Sequence, residues 1–373
     1  MITQLLNAAP SWALILAHMG VLLLAMGLSH WLYGAYWRRL TRRGASVRGL
    51  LDKPDWRSSH RRPTPTGAGI VMLVATLLLL PMVTMPFSTL YAAVMVGCGA
   101  MGLLGFVDDR LSLSAKFRFA LQFVWAGGLV WLLAGVPLVL VLPGWSLAVQ
   151  GLGLLVPVVG LVWVINLHNF MDGLDGIASL ESLCVLLPAA AIFAAYGAWP
   201  VALLALLVAA TVLMFLRWNL PGSRLFMGDA GASFLGSVIG LLLLLGWQLG
   251  TQVLLALLVL YGVFVVDASL TLLGRLLRGK NCFSAHSSHL FQQLARRHGT
   301  VAVLKGLLLI NLGWLLPLAT LLILLPDLLP GLTQEQGSAA VWLLLALAYA
   351  PLVTGYLFVH DSEQLLDVAP DGK

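Results

Sequence analysis

Residues 149–196, VQGLGLLVPVVGLVWVINLHNFMDGLDGIASLESLCVLLPAAAIFAAY, hold two long apolar runs joined by one short polar segment. Each run, 149–168 and 176–196, has about the 20 residues that an α-helix needs to cross the hydrocarbon core of a bilayer. The joining segment, 169–175, carries Asn169, Asp172 and Asp175, so oxygen-rich side chains stand where a span meets water.

Working outward from this pair, further apolar runs lie near 11–33, 67–86, 88–107, 117–134, 198–216, 229–248, 251–273, 301–325 and 338–358, for eleven candidate spans. The whole chain of 373 residues is 60% hydrophobic and only 10% charged, with a mean hydropathy of +0.96. Soluble domains carry about 25% charged residues. A surface this apolar needs lipid as its solvent, and the expected fold class is an all-α polytopic membrane protein. The net charge of +6 is accounted for by basic loops facing anionic lipid and cytoplasm, and no nucleic-acid partner is expected. Cys98 and Cys184 fall in apolar runs and Cys282 in a basic loop, a spacing that fits neither a disulfide framework nor a zinc site. The first ten residues carry no Lys or Arg, so the first run is expected to be a retained span and not a signal peptide.

The charges orient the spans. Threaded with its N-terminus outside, the chain has inner segments 34–66, 108–116, 169–175, 217–228 and 274–300, and an inner tail after 358. All 21 Lys and Arg fall in these segments or just inside the span that follows, and the outer loops hold none. Cytoplasmic loops are enriched in Lys and Arg. The N-terminus is therefore expected in the periplasm and the C-terminus in the cytoplasm of a bacterial inner membrane. No hydrophilic stretch is long enough for a separate soluble domain. The chain is expected to form one transmembrane domain, 1–373, with its function in the cytoplasmic loops 34–66, 108–116, 166–176, 217–231 and 274–300.

The acidic residues point to the same face. Of 15 acids, Asp327 and Glu335 fall in an outer loop, Glu181 and Asp267 lie deep in apolar runs, and four sit in the tail. Asp52 and Asp55 belong to a basic loop that can pair them. Asp108, Asp109, Asp172, Asp175 and Asp229 remain, each at a junction of span and inner loop. Carboxylates at such junctions are expensive unless paired, hydrated or bound to metal. Ion pairing with nearby arginines is the plain explanation for any one of them; for all five together, a shared cation site is the better one. Oxygen-only ligands favour Mg²⁺ over zinc.

Four segments carry the chemistry. Arg57-Ser-Ser-His60-Arg61-Arg62-Pro-Thr64-Pro-Thr-Gly67-Ala-Gly69 offers cations to a phosphorylated substrate at the surface, with prolines holding it extended. As an isolated feature it is weak evidence, since a basic juxtamembrane loop is usually just an orientation signal. Asn166-Leu-His-Asn169-Phe-Met-Asp172-Gly-Leu-Asp175-Gly176 sets amides and carboxylates at regular spacing, Asp172 and Asp175 sharing a face if that segment is helical. Asn219-Leu-Pro-Gly-Ser-Arg224-Leu-Phe226-Met-Gly228-Asp229-Ala-Gly231 starts the eighth span, where Asp229 is either a helix cap or an ion ligand and Phe226 is able to stack on a base. His286-Ser-Ser-His289-Leu-Phe-Gln-Gln-Leu-Ala-Arg296-Arg297 reads as a phosphate-binding pair or as an amphipathic surface helix. Asp267, inside the ninth run, is a functional suspect with no partner visible in the sequence.

These segments resemble the polyprenyl-phosphate N-acetylhexosamine-1-phosphate transferases. The matching pieces are Pro63-Thr-Pro-Thr-Gly-Ala-Gly69, Gly105-Phe-Val-Asp108-Asp109, Asn166-x-x-Asn169-x-x-Asp172-Gly-x-Asp175-Gly176, Phe226-Met-Gly-Asp229-Ala-Gly231 and His286-x-x-His289, in the family's order. The family's layout of eleven spans with the N-terminus outside agrees with the count above. The resemblance implies attack by the phosphate of undecaprenyl phosphate on the β-phosphorus of a UDP-N-acetylhexosamine, with release of UMP. It implies Mg²⁺, or alternatively Mn²⁺, held by Asn169 and Asp229. It makes Asp108, Asp109 and Asp172 the catalytic carboxylates; the first two face the lipid phosphate or the metal, and Asp108 is preferred as acceptor of the remaining phosphate proton. It also implies that Asp175 and Phe226 contact uridine and that Arg61 and His289 contact the nucleotide or its phosphates. Thr64, Asn166 and His286 complete the expected substrate-binding set, and members often form homodimers.

The chain departs from the family pattern in places. The peptidoglycan enzyme of the family has three consecutive histidines, whereas Ser287 and Ser288 separate the pair here, as in the branch that initiates O-antigen in Gram-negative bacteria. Ala68 and Ala232 replace a usual Gly and Ser. The expected product starts lipid-linked O-antigen or another cell-envelope polysaccharide. The alternatives are the phospho-MurNAc-pentapeptide transferase of peptidoglycan synthesis and a transporter of lipid-linked sugars. A transporter needs polar groups near the bilayer midplane, and here they gather on one face.

Overall fold

A computed structural model describes residues 12–42, 50–52, 63–85, 88–133, 139–142, 145–148, 155–279, 288–331 and 333–367. The expected site residues Arg61 and His286 lie outside the described residues, as do Arg57, Arg62 and Cys282.

Helices form at each of the eleven apolar runs. They are α1 (Trp12–Arg42), α2 (Gly69–Leu79, continued by a 3₁₀ turn to Met82), α3 (Thr89–Leu111), α4 (Ala115–Leu133), α5 (Leu155–Met171) and α6 (Ile177–Ala195). Beyond them come α7 (Trp199–Asn219), α8 (Gly228–Leu249), α9 (Thr251–Leu260), α10 (Gly262–Leu277), the short α11 (Leu290–His298), α12 (Thr300–Leu328) and α13 (Gln334–Asp367). Seven of these are long and apolar enough to cross a membrane, or eight if α9 and α10 count as one span broken by a 75° bend. The helix at 67–86 is shorter than the run that predicted it, because regular α-helix ends before Pro81; of the run 149–168, residues 149–154 lie outside the described residues and Leu155 onward is helical. The all-α expectation needs one amendment. Two small antiparallel ladders are present: β1 (Leu51–Asp52) with β2 (Thr64–Pro65), and β3 (Val139–Leu142) with β4 (Trp145–Ala148).

The bundle is built around α8, whose apolar residues run round its whole circumference. A helix of that kind must be buried on all sides, and α8 is enclosed by α2, α3, α5 and α9. Two glycines let the backbones close up at its first turn. A Cβ on Gly69 would collide with the backbone of Gly231, and one on Gly105 with the backbone of Asp229. The periphery is the reverse. Trp131 is 81% exposed, Leu309 74% and Phe358 76%, the outward apolar surface expected of helices solvated by lipid.

The bend between α9 and α10 falls at Tyr261, whose hydroxyl is 2.8 Å from His168 Nδ1 of α5. The deep Glu181 of α6 also finds a partner, accepting from Asn311 Nδ2 of α12 at 2.7 Å. The Pro-Thr-Pro segment is extended, as its prolines require, and is spliced onto the loop before α8. Phe226 N donates to Pro65 O at 2.8 Å, Ala68 N to Phe226 O at 3.0 Å and Gly69 N to Met227 O at 2.9 Å. Tyr36 of α1 holds the same segment by donating its hydroxyl to Thr66 O at 2.8 Å.

Candidate active site

Carboxylates from three distant stretches of chain meet at the ends of α3, α5 and α8. Helix α3 ends at Leu111, where Ser112 turns left-handed (φ 51°) and donates its N–H to Asp108 O. The Asp108 side chain then accepts from Leu113 N at 2.6 Å and from the Arg118 guanidinium, so it fixes the turn into α4. Arg118, in the first turn of α4, also donates to Asp229 Oδ2 at 3.0 Å. Asn169, in the last turn of α5, donates its Nδ2 to Asp229 Oδ1 at 2.7 Å. Asp229 thus receives one cation and one amide, and keeps 31% of its side-chain surface accessible to a ligand.

Asp109 does something else. Its two oxygens accept the backbone N–H groups of Asp229 at 2.8 Å and Ala230 at 3.1 Å. An anion at a helix N-terminus is favoured by the helix dipole and by the unpaired N–H groups there. The N-cap position of α8 is Met227, which offers no side-chain cap. Asp109 therefore stabilises the start of α8, and the reading of Asp229 as a cap is corrected: its side chain is left for other partners. Gly228 takes φ +68° at this junction, packed against Asp109 and Gly67.

Asp172 and Asp175 do not share a helical face, because α5 stops at Met171 and both lie in the turn before α6. Asp175 accepts from Gly222 N at 3.0 Å, Ser223 N at 3.2 Å and Ser223 Oγ at 3.0 Å, stapling this turn to the loop between α7 and α8. Asn219 reinforces the staple, accepting from Gly176 N and donating to Leu225 O. Asp172 lies close enough to Asp109 and Asp175 to feel their charge. Its pKa is pushed from 3.8 up to about 7, first by burial and then by the negative charges of Asp109 and Asp175.

The other expected residues are placed as follows. Asn166 points its Nδ2 at Gln122 Oε1 and Val162 O, both at 2.7 Å, which ties α5 to α4. Thr64 is buried in β2, and Phe226 is half-buried beside it through the backbone splice. His289 is at the start of α11, with Nδ1 3.2 Å from Asp267 Oδ1. Sequence reasoning missed Arg118, which looked like one more orientation charge. Its signal was its place ten residues beyond Asp108 across a helix–turn–helix corner.

The donor set suits a hard divalent cation. Among the described residues no three His, Cys, Asp or Glu side chains are arranged to hold a metal by themselves. Mg²⁺ does not demand that, since it is commonly held by one or two carboxylates plus substrate phosphates and water. Asp229 and the Oδ1 of Asn169 supply oxygen of the required type, beside the half-buried Asp172, where added positive charge relieves repulsion. The residues present therefore fit the ion.

Apolar helices long enough to cross a membrane, with carboxylates, an amide and an arginine converging at their ends, describe a polytopic membrane protein with a polar site at the ends of its helices. The family model for glycosyl transferase family 4 matches residues 91–247, which includes Asp108, Asp109, Asn169, Asp172 and Asp229. The phospho-N-acetylmuramoyl-pentapeptide-transferase of Symbiobacterium thermophilum is 31% identical over an alignment of 307 residues that covers 74% of this chain and 88% of that protein. A probable undecaprenyl-phosphate N-acetylglucosaminyl 1-phosphate transferase of Bacillus subtilis is 26% identical over 260 residues, 66% of this chain and 70% of the relative. The decaprenyl-phosphate N-acetylglucosaminephosphotransferase of Mycolicibacterium smegmatis is 31% identical over 213 residues, and the chain spans about half of its length (52%). The chain belongs to glycosyl transferase family 4 and is an enzyme of its phosphotransferase kind.

Proposed function

We propose that this enzyme transfers N-acetylhexosamine-1-phosphate from a UDP-sugar to undecaprenyl phosphate at the cytoplasmic face of a bacterial inner membrane, opening the synthesis of O-antigen or another envelope polysaccharide. The observation that carries this reading is the bridging of Asp108 and Asp229 by Arg118, with Asn169 on the same Asp229 carboxylate, inside the segment that matches the family. An oxygen of the lipid phosphate attacks the β-phosphorus of the donor. The bond from that phosphorus to the bridging oxygen breaks, and UMP leaves with the electron pair. The nucleophile is already an anion, so positioning and charge neutralisation supply the catalysis.

Arg118 binds phosphate oxygens from its place between Asp108 and Asp229, and Asp108 takes the remaining proton of the lipid phosphate. Mg²⁺ held by Asn169 and Asp229 supplies charge neutralisation when bound. Asp109 keeps the start of α8 in register, Asp175 and Phe226 form the uridine side, and His289 with Arg61 and His286 meets the phosphates. The positive-inside pattern supports eleven spans with a periplasmic N-terminus. The Symbiobacterium relative favours a second reading, the muramoyl-pentapeptide reaction, against which the divided histidine pair stands.

The test is purified enzyme with undecaprenyl phosphate, Mg²⁺ and a panel of UDP-sugars that includes UDP-MurNAc-pentapeptide. Lipid-dependent UMP release from a UDP-N-acetylhexosamine is expected, with at least about a 10³-fold loss in Asp229→Asn at unchanged thermal stability. No release with any donor, or full activity in Asp229→Asn, would overturn the assignment; preference for the pentapeptide donor would select the second reading.

A further inference from the structure

Asp267 is an acid deep in an apolar run that nothing in the proposed reaction uses. It sits in the second turn of α10, the half of the broken span beyond the bend, and is 4% exposed. A carboxylate there is expensive unless its oxygens are fully engaged. They are. Oδ1 is 3.2 Å from His289 Nδ1, 3.0 Å from Leu290 N and 3.2 Å from Thr271 Oγ1, and Oδ2 accepts from Phe291 N at 2.9 Å. One side chain therefore binds both the imidazole and the first two N–H groups of α11.

The element it holds touches the active-site turn. A Cβ on Gly173 would lie 3.0 Å from Phe291 Cζ and 3.3 Å from Gln292 Nε2, so α11 rests against the turn that carries Asp172 and Asp175. His289 stacks on Phe291, with ring centroids 5.6 Å apart, and its backbone N donates to Gln292 Oε1. The chain of contact runs from Asp267 through His289 and Phe291 to Gly173, next to Asp172.

We propose that Asp267 is a positioning residue for the transfer reaction, fixing the tautomer and orientation of His289 next to the Asp172 turn. This rests on the proposed function, in which His289 meets donor phosphate. With Nδ1–H given to Asp267, Nε2 is the ring nitrogen left in the acceptor state, as the partner of one ring nitrogen sets the role of the other. A carboxylate satisfies two backbone donors and a ring donor at once; an amide loses the charge and brings a competing N–H₂ group.

Two measurements test this. In the first, Asp267→Asn, His289→Ala and the double variant are compared for donor turnover and thermal stability. Asp267→Asn is expected to lose about 10- to 100-fold in kcat/KM, as removal of an orienting partner does elsewhere, with Asp267→Glu recovering part of it. In the His289→Ala background Asp267→Asn is expected to cost under about threefold, because it acts through that ring. Losses that multiply in the double variant, or an undiminished Asp267→Asn enzyme, overturn the proposal. The second is the ¹⁵N spectrum of the His289 imidazole in wild-type protein, which needs neither turnover nor a folded variant. Protonated Nδ1 is expected, and a bare Nδ1 overturns the proposal. Failure of every donor with protonated Nδ1 would instead condemn the proposed reaction and leave the Asp267–His289 contact standing.

Discussion

Replacing Gly228 by alanine tests whether the junction of α3 and α8 is as tightly set as its contacts imply. The residue adopts φ +68°, a conformation that costs a side-chain-bearing residue about 1–2 kcal/mol. Its Cβ would stand 2.5 and 2.7 Å from the Asp109 carboxylate oxygens and 2.8 Å from Gly67 N, where ordinary contact begins at 3.4 Å. Relief requires a movement of about 0.6–0.9 Å, the difference between these distances. Asp109 is the group that would give way, and it holds the N–H groups of Asp229 and Ala230. A misplacement near 1 Å at reacting groups can lower rate by about 10². The expected result is a folded protein, destabilised by about 2–3 kcal/mol, with turnover down about a hundredfold. Lipid-dependent UMP release and thermal unfolding in detergent measure the two. Gly279→Ala is the control, since that residue also has positive φ (+65°) but nothing within 4 Å of the added carbon. It should lose about 1 kcal/mol and no activity. Equal activity in the two variants would refute the reasoning.

Arg118→Met should lower stability in chelator by about 1–2 kcal/mol, a figure reduced because 34% of the arginine side chain is exposed, and added Mg²⁺ should restore the unfolding temperature; no response to the ion would count against a cation site at Asp229. Asp172 holds its proton to about pH 7 against 3.8 for a free carboxyl, so the unfolded chain ionises first as pH rises. Stability from this group therefore falls between those two values and levels above them, with a ceiling of about 4 kcal/mol that partial solvent access brings nearer 1–2. In chelator, the unfolding temperature of Asp172→Asn should show a shallower decline with pH than wild type, and parallel curves would contradict the placement of Asp172. In a cysteine-free background, Ser338→Cys should react with an impermeant maleimide in intact cells and Arg224→Cys should not; the opposite pattern would reverse the threading.

What was legible in the sequence was one-dimensional. A span is a local run of apolar residues, so the approximate positions of the apolar helices follow from hydropathy, apart from their precise ends; the polar α11 and the division of the run 251–273 into α9 and α10 do not. Aspartates at span ends stand out because hydrocarbon penalises charge wherever it occurs. The break at Tyr261 was not legible, and neither was its contact with His168, nearly a hundred residues earlier. Nor was the division of labour between neighbouring acids. Asp108 and Asp109 are adjacent in sequence, yet one faces Arg118 and the other secures the backbone of α8. The tie from Asp175 to Gly222 and Ser223 across another loop was not legible either. Partners of this kind are set by packing, which a linear reading does not contain.

The complete enclosure of α8 has a consequence for drift and engineering. A post that touches its neighbours on every side transmits any change in girth along its length to the end that bears Asp229. Substitutions that add bulk between Phe234 and Leu245 should therefore surface as lost turnover before lost expression. By contrast α1 and α13, each with 11% of the spanning window buried, are bathed by lipid and free to exchange one aliphatic residue for another.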